Sequence, residues 1–258
     1  MQKPICNLWR TPSPLQRDPN PRSEMIADKP HLQINNLIVE REGLPLFEKL
    51  DLSIGRGAFI CIEGRSGAGK SSLLSCLAGM LEPASGQITY RGQDDSEHSP
   101  KGFCKKLGLV FQHLRLTPNA TAETNVLCGL LGQRSTWRTL VGFPRTDRQR
   151  AIALLEKLGI AHLAQKPVAH ISGGERQRVA VARALISEPE CVLADEPVSS
   201  LDPQLARQVL SLLKQECARS GCTVLCTLHD SALSEEFSDA TLRFHGEGGW
   251  DYSAGGRS

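Results

Sequence analysis

Apolar residues recur at roughly every second position from Leu32 to Val39, from Leu50 to Ile54 and again over Gln87 to Tyr90. Alternation of this kind predicts half-buried strands, the first two flanking a turn at Gly43, and together an antiparallel sheet edge. Four further runs are short and apolar without alternation: Phe59 to Glu63, Gly108 to Phe111, Cys191 to Ala194 and Thr223 to Leu228. These read as buried strands. Helical spacing separates each of these runs from the next. Leu73, Leu74, Leu77 and Ala78 share one face, as do Ala151, Leu154, Leu155 and Leu158, with Asp147 as predicted N-cap and Gly159 as stop. Val179 to Ile186 reads as a third helix, and Leu205, Val209, Leu212 and Leu213 belong to a fourth, opened by Asp202 as N-cap and Pro203 at its first position. Strands and helices mix along the chain, and Ala120 to Val168 reads as a mostly helical insert. The pattern predicts one large α/β domain with an inserted lobe, compatible with 258 residues.

The two ends carry no such pattern. Residues 1–30 include Pro4, Pro12, Pro14, Pro19, Pro21 and Pro30 without apolar periodicity, and read as a solvated, disordered tail with little to bury. Met25 is a second candidate initiator, close to where the patterned chain begins. The glycine-rich segment 246–258 reads as a frayed C-terminus. Residues 1–24 lack the apolar core of a secretory signal, and no run of ~18 apolar residues occurs to span a membrane. Charge is nearly balanced, 30 Lys and Arg against 28 Asp and Glu, which weighs against a nucleic-acid partner. The nine cysteines are scattered with no C-x-x-C pair and read as reduced, packed thiols.

Candidate chemistry concentrates at the ends of the buried strands. Gly64-Arg65-Ser66-Gly67-Ala68-Gly69-Lys70-Ser71 satisfies G-x-x-x-x-G-K-[ST] between a predicted strand and a predicted helix. In that context its backbone N–H groups and the helix N-terminus form a cradle for a polyphosphate, Lys70 reaches the outer phosphates and Ser71 holds Mg²⁺. Gln112 stands at the exit of another buried strand, where polar groups face ligands. Ser172 and Glu175 have capping-box spacing around Gly173 and Gly174 at a helix start that exposes N–H groups. Taken alone, an ordinary helix start explains that stretch equally well. Asp195 and Glu196 end a buried strand, and two adjacent carboxylates there cost stability unless they serve a metal or a reaction. Asp195 is suited to support Mg²⁺ and Glu196 to polarise a water for attack on a γ-phosphate. His229, ending the next strand, is suited to donate a hydrogen bond to that phosphate.

The ordered set Gly64 to Ser72, Gln112, Ser172-Gly173-Gly174, Asp195-Glu196, Asp202 and His229 resembles the ATPase subunit of ATP-binding cassette (ABC) transporters over roughly residues 32–244. There these elements are the Walker A loop, Q-loop, signature motif, Walker B, D-loop and H-switch. The resemblance implies a P-loop NTPase core (31–245) with an antiparallel β subdomain and an inserted α-helical subdomain at about 113–170. It implies ATP and Mg²⁺ as ligands, with Gln112 among the Mg²⁺-site residues as well as the catalytic ones. Its implied partners are a second copy in a head-to-tail dimer that sandwiches ATP between one Walker A loop and the other signature stretch, two integral-membrane permease subunits and, indirectly, a periplasmic solute-binding protein. The implied location is peripheral, at the cytoplasmic face of the inner membrane.

Two positions depart from the family pattern. An adenine-stacking aromatic is expected shortly before Leu46, and Arg41 stands nearest, so that its guanidinium is expected to stack instead. Glu175 replaces the commoner Gln after the glycines and brings a carboxylate toward the nucleotide. Leu193 to Pro203 and the insert Ser135 to Pro144 look like the ATPase of bacterial phosphonate importers. Importers of other small solutes and the lipoprotein-releasing or macrolide-exporting group, which share Leu193-Ala194-Asp195-Glu196-Pro197, are the alternatives. Trp137 and Phe143 are expected to be exposed for docking on a permease.

Overall fold

The computed structural model describes residues 29–133, 142–245 and 248–254. Its strands in chain order are β1 (Leu32–Ile38), β2 (Glu40–Arg41), β3 (Leu44–Pro45), β4 (Leu50–Ile54), β5 (Phe59–Gly64), β6 (Ser85–Arg91), β7 (Glu97–His98), β8 (Leu107–Val110), β9 (Cys191–Ala194), β10 (Thr223–Thr227), β11 (Ala240–Phe244) and β12 (Trp250–Ala254). The alternating segments pair antiparallel in the order β4-β1-β6-β7, and β2 and β3 form a small hairpin around Gly43. The unalternated runs form the larger sheet, β12-β11-β5-β10-β9-β8, in which β11, β5, β10, β9 and β8 are parallel.

A parallel sheet buried on both faces must be apolar on both, which is why these strands lack alternation. Cys61, Val192, Ala194, Val224 and Cys226 point into a core shared with the helices Gly173–Leu185 and Pro203–Ser220 and with the inserted lobe. Ile60, Ile62, Cys191, Leu193 and Leu225 point into the other core, against helix Lys70–Leu77 and the antiparallel sheet. The fold is thus the P-loop NTPase core with an antiparallel β subdomain. Between Phe111 and Glu190 the described residues contain helices and turns and no strand, chiefly Ala122–Leu127, Arg145–Lys157 and Gly173–Leu185.

Several expectations need correction. The C-terminus is not frayed throughout: β12 pairs antiparallel with β11, Trp250 opposite Phe244, and the Trp250 indole N–H donates to the Lys49 carbonyl at 3.1 Å. Trp250 and Tyr252 alternate with Asp251 and Ser253, a strand pattern that the surrounding glycines obscure. Asp147 is not an N-cap. Its helix starts at Arg145 after Pro144, and Asp147 lies buried in the first turn, where the helix dipole favours a carboxylate, 4.0 Å from Arg150. Phe143 is half-buried and packs against the core of the lobe instead of standing free. Trp137 and the tail 1–28 lie outside the described residues. The eight cysteines of the described residues are free thiols, six of them buried, and burial pushes Cys217 and Cys222 up to about 12, where a thiol is inert.

Candidate functional site

Parallel strands bring their carboxyl ends to one edge of the sheet, so the residues that follow β5, β8, β9 and β10 emerge together. Those residues are the phosphate loop, Gln112, the Asp195-Glu196 pair and His229. One cleft of about 210 Å³ is lined by Ser66, Gly67, Gly69, Lys70, Ser71 and Ser72 of the loop, by Gln112, by Glu196 and by His229. Arg41 and Leu46, from the β2–β3 hairpin and the residue after it, complete its wall.

The loop is held before any anion arrives. Gly69 adopts φ +94°, and a Cβ there would come within 2.9 Å of the Phe47 ring, so both its dihedral and its packing require glycine. Lys70 is 7% exposed and its ammonium donates to the carbonyls of Gly64 at 2.7 Å and Arg65 at 3.1 Å. A lysine has three protons to donate, so one remains for an outer phosphate. Ser71 lies in the first turn of helix Lys70–Leu77.

On the facing wall, Glu196 has φ +52°, a left-handed conformation uncommon for a residue with a side chain. Its N–H donates to Thr227 Oγ1 at 2.7 Å, and the Thr227 hydroxyl in turn donates to Asp195 Oδ1 at 2.9 Å. Its carbonyl accepts from Gln177 Nε2 at 2.7 Å. Glu196 Oε1 lies 2.7 Å from His229 Nε2, so the imidazole donates that proton to the carboxylate. Beyond Gln112, Leu114 and Arg115 also have left-handed backbones, and Arg183 secures them by donating to both carbonyls.

Oxygen donors are the ligands that suit a hard divalent cation; Ser71 and Gln112 line the cleft with a hydroxyl and an amide, while Asp195, next to Glu196, is not among the lining residues and its Oδ1 accepts from Thr227. Among the described residues no group of three or more His, Cys, Asp or Glu can hold a metal.

The sequence-predicted stretch from Ser172 to Glu175 does not enter this cleft, nor does Asp202. Ser172 caps the helix Gly173–Leu185, and Glu175 folds back to accept from the Ser172 N–H at 2.7 Å. That hydrogen bond, with the Ser172 hydroxyl second, lowers the Glu175 pKa. Its carboxylate thus takes part in the cap through Oε2. Gly173 has open space around it, whereas a Cβ on Gly174 would lie 3.0 Å from Leu201 Cδ2 and 3.2 Å from the Ser200 carbonyl. Asp202 caps its helix by accepting from the N–H groups of Gln204 and Leu205. Thr227, Gln177 and Leu46 were not singled out from sequence. A hydroxyl at the carboxyl end of a buried strand was the signal available for Thr227; for Gln177 and Leu46 the contacts depend on the fold.

Comparison with known proteins agrees with this architecture. A family model described as "ABC transporter" matches residues 47–199. The phosphonates import ATP-binding protein PhnC 2 of Nostoc sp. (strain PCC 7120) is 39% identical over 198 residues, 77% of this chain and 81% of that protein. The hypophosphite import ATP-binding protein HtxD of Stutzerimonas stutzeri is 39% identical over 81% of this chain and 62% of its own length. Among solved structures, a dimeric ATP-binding cassette in a post-hydrolysis state with ADP and Pi superposes with a TM-score of 0.73 at 27% identity, covering 83% of this chain and 94% of that one.

Proposed function

Because the chain belongs to the ATP-binding cassette (ABC) transporter family, we propose that it is the ATP-hydrolysing subunit of an importer for phosphonates or a related phosphorus oxyanion, acting through separate permease subunits. The observation that carries the hydrolytic reading is the Glu196 carboxylate, bonded to His229 and lining the same cleft as Lys70 and Ser71.

ATP lies with its phosphates on the N–H groups of residues 64–72, its outer phosphates against Lys70, and its base toward Arg41 and Leu46. Ser71, Asp195 and Gln112 would hold Mg²⁺, which would supply neutralising charge for the outer phosphates. Glu196 orients a water and accepts its proton as it attacks the γ-phosphate. His229 then has a second acceptor for its Nε2 proton, a γ-phosphate oxygen, where charge develops in the transition state.

The stretch from Ser172 to Gly174 contributes nothing to its own chain's cleft, although a capped helix start with exposed N–H groups suits an anion. A head-to-tail dimer, in which each such stretch completes the partner's ATP site, gives it that anion. Among the described residues no helix is long and apolar enough to cross a membrane, in keeping with a peripheral subunit on the cytoplasmic side of its permease.

The test is reconstitution of the full chain with the permease subunits of a phosphonate importer. ATP-dependent uptake of a labelled alkylphosphonate that Glu196→Gln abolishes supports the proposal. ATP hydrolysis coupled to another solute, with phosphonate ignored, would retain the ATPase and discard the cargo.

A further inference from the structure

Gln177 lies on the second turn of the helix Gly173–Leu185 and is 2% exposed. A carboxamide buried so deeply must satisfy both its donor and its acceptor within the protein. Nε2 donates to the Glu196 carbonyl at 2.7 Å and lies 3.4 Å from Ser199 Oγ, while Oε1 accepts from the Ser200 N–H at 3.0 Å. Both ends of the side chain are thus spent on the stretch from Glu196 to Ser200.

That stretch needs holding. A left-handed residue with a side chain persists only where its surroundings over-determine it. For Glu196 the shortest backbone restraints are the Thr227 hydroxyl on its N–H and the Gln177 amide on its carbonyl at 2.7 Å each, one from the neighbouring strand and one from the helix, and the carbonyl also accepts at longer range from the Ser199 N–H at 3.4 Å and hydroxyl at 3.3 Å. The same helix approaches the stretch again one turn earlier, where a Cβ on Gly174 would lie 3.0 Å from Leu201 Cδ2 and 3.2 Å from the Ser200 carbonyl.

We propose that Gln177 is a positioning residue for ATP hydrolysis, its carboxamide fixing the left-handed backbone of Glu196 and so the direction of the carboxylate toward His229 and the cleft. The inference rests on Glu196 as the group that orients the water. Gln177 touches neither nucleotide nor water; it acts through the Glu196 carbonyl.

The experiment uses the full-length protein and two substitutions. Gln177→Met keeps the length of the side chain and removes both hydrogen bonds. Gln177→Glu keeps an acceptor for the Ser200 N–H and replaces the amide donor that faces the Glu196 carbonyl and Ser199 Oγ by a carboxylate oxygen. Both are expected to lower kcat at least ~10-fold, approaching the ~100-fold that a misplacement of ~1 Å can cost, with the KM for ATP within about twofold of wild type. In a Glu196→Gln background, adding Gln177→Met is expected to cost nothing further, because the carboxylate it would aim is gone. Equal losses in both backgrounds, a kcat within about twofold of wild type for Gln177→Glu, or a rise in KM alone would each overturn the proposal. If Gln177→Met does not fold, Gln177→Glu decides. Loss of cooperative melting in both variants would assign Gln177 to the core and equally overturn it. A Glu196→Gln protein as active as wild type would instead remove the underlying reading of Glu196, whatever the Gln177 variants do.

Discussion

His229 Nε2 stands 2.7 Å from Glu196 Oε1, and the two side chains meet from the ends of the adjacent strands β10 and β9. The contact orients the carboxylate before a nucleotide enters, so little reorganisation is left for the reaction itself. Glu196→Gln is expected to bind ATP and to hydrolyse it at least ~100-fold more slowly, since a positioned general base typically contributes 10²–10⁴-fold. An ATP-bound dimer should accumulate in size-exclusion chromatography. His229→Ala, which removes a donor to the developing phosphate charge, is expected to lower kcat by ~10²–10³-fold. Near-normal turnover in steady-state assays of either variant would reassign its role.

Lys70 is held by two loop carbonyls and is nearly buried, and in the proposed ATP site its charge faces the outer phosphates. Lys70→Ala is expected to weaken ATP binding itself by more than ~10-fold, at ~1.4 kcal/mol per decade, rather than lower kcat at saturation. Titration with a fluorescent ATP analogue measures this directly, and an unchanged Kd would contradict it.

Arg41 and Leu46 form the wall of the cleft that the phosphates leave free. Exposed cation–π contacts are worth only ~0.5–1 kcal/mol, so Arg41→Ala should weaken ATP by no more than about fivefold. Equal affinities of wild type and variant for both ATP and GTP would show that the guanidinium does not touch the base.

Burial, and next the charge of Arg56, push the His31 pKa below its ordinary value of 6.5. Its Nδ1–H donates to the Arg91 carbonyl at 2.8 Å while Nε2 has no hydrogen-bond partner, which describes a neutral ring. The unfolded chain then binds a proton below pH 6.5 that the folded chain refuses, so stability is complete above that pH and declines below it. Melting temperature should fall on acidification from about pH 6.5, and less steeply in His31→Asn, which keeps a donor for Arg91 without titrating in that range. Parallel slopes in the two proteins would point to other groups.

The C-terminal strand is expected to matter for stability. Trp250 is half-buried against the core and bonded to Lys49, so Trp250→Ala should forfeit about half of the ~3–5 kcal/mol of a fully buried aromatic. For a chain of this size that lowers Tm by roughly 4–8 °C. A calorimetric scan that shows no shift would mean that β12 adds nothing to the fold.

The parts of the site that lie in one stretch of chain were legible in the sequence, because their meaning is local: the loop from Gly64 to Ser71 declares itself by spacing, and Ser172, Asp202 and Pro203 by the chemistry of helix starts. Buried strands were legible from their unbroken apolar runs, and with them the emergence of Gln112, Glu196 and His229 at strand ends. What was not legible depends on register. Thr227 reaches Asp195 and Glu196 because Cys226 pairs with Ala194 in the parallel ladder, and no local pattern encodes that pairing. Gln177 looks like any polar residue on a helix until the helix is seated on the Glu196 turn. β12 was missed because Gly246, Gly248 and Gly249 mask a five-residue alternation, and Asp147 because a proline start displaced the cap.

Gly69 faces Phe47 as well as the phosphate cradle, and this decides which variant can serve as a nucleotide-dead control. Any side chain introduced at Gly69 would push on a ring that also packs against Phe244, in the strand next to the loop. Lost activity in such a protein would mix a damaged core with a missing ligand, and a biochemist could not separate them. Gly67 has nothing within reach of a Cβ, yet its φ of +84° strains any replacement. Glu196→Gln, which disturbs neither a glycine conformation nor a hydrogen bond of the loop, is therefore the variant expected to be inactive with its architecture intact.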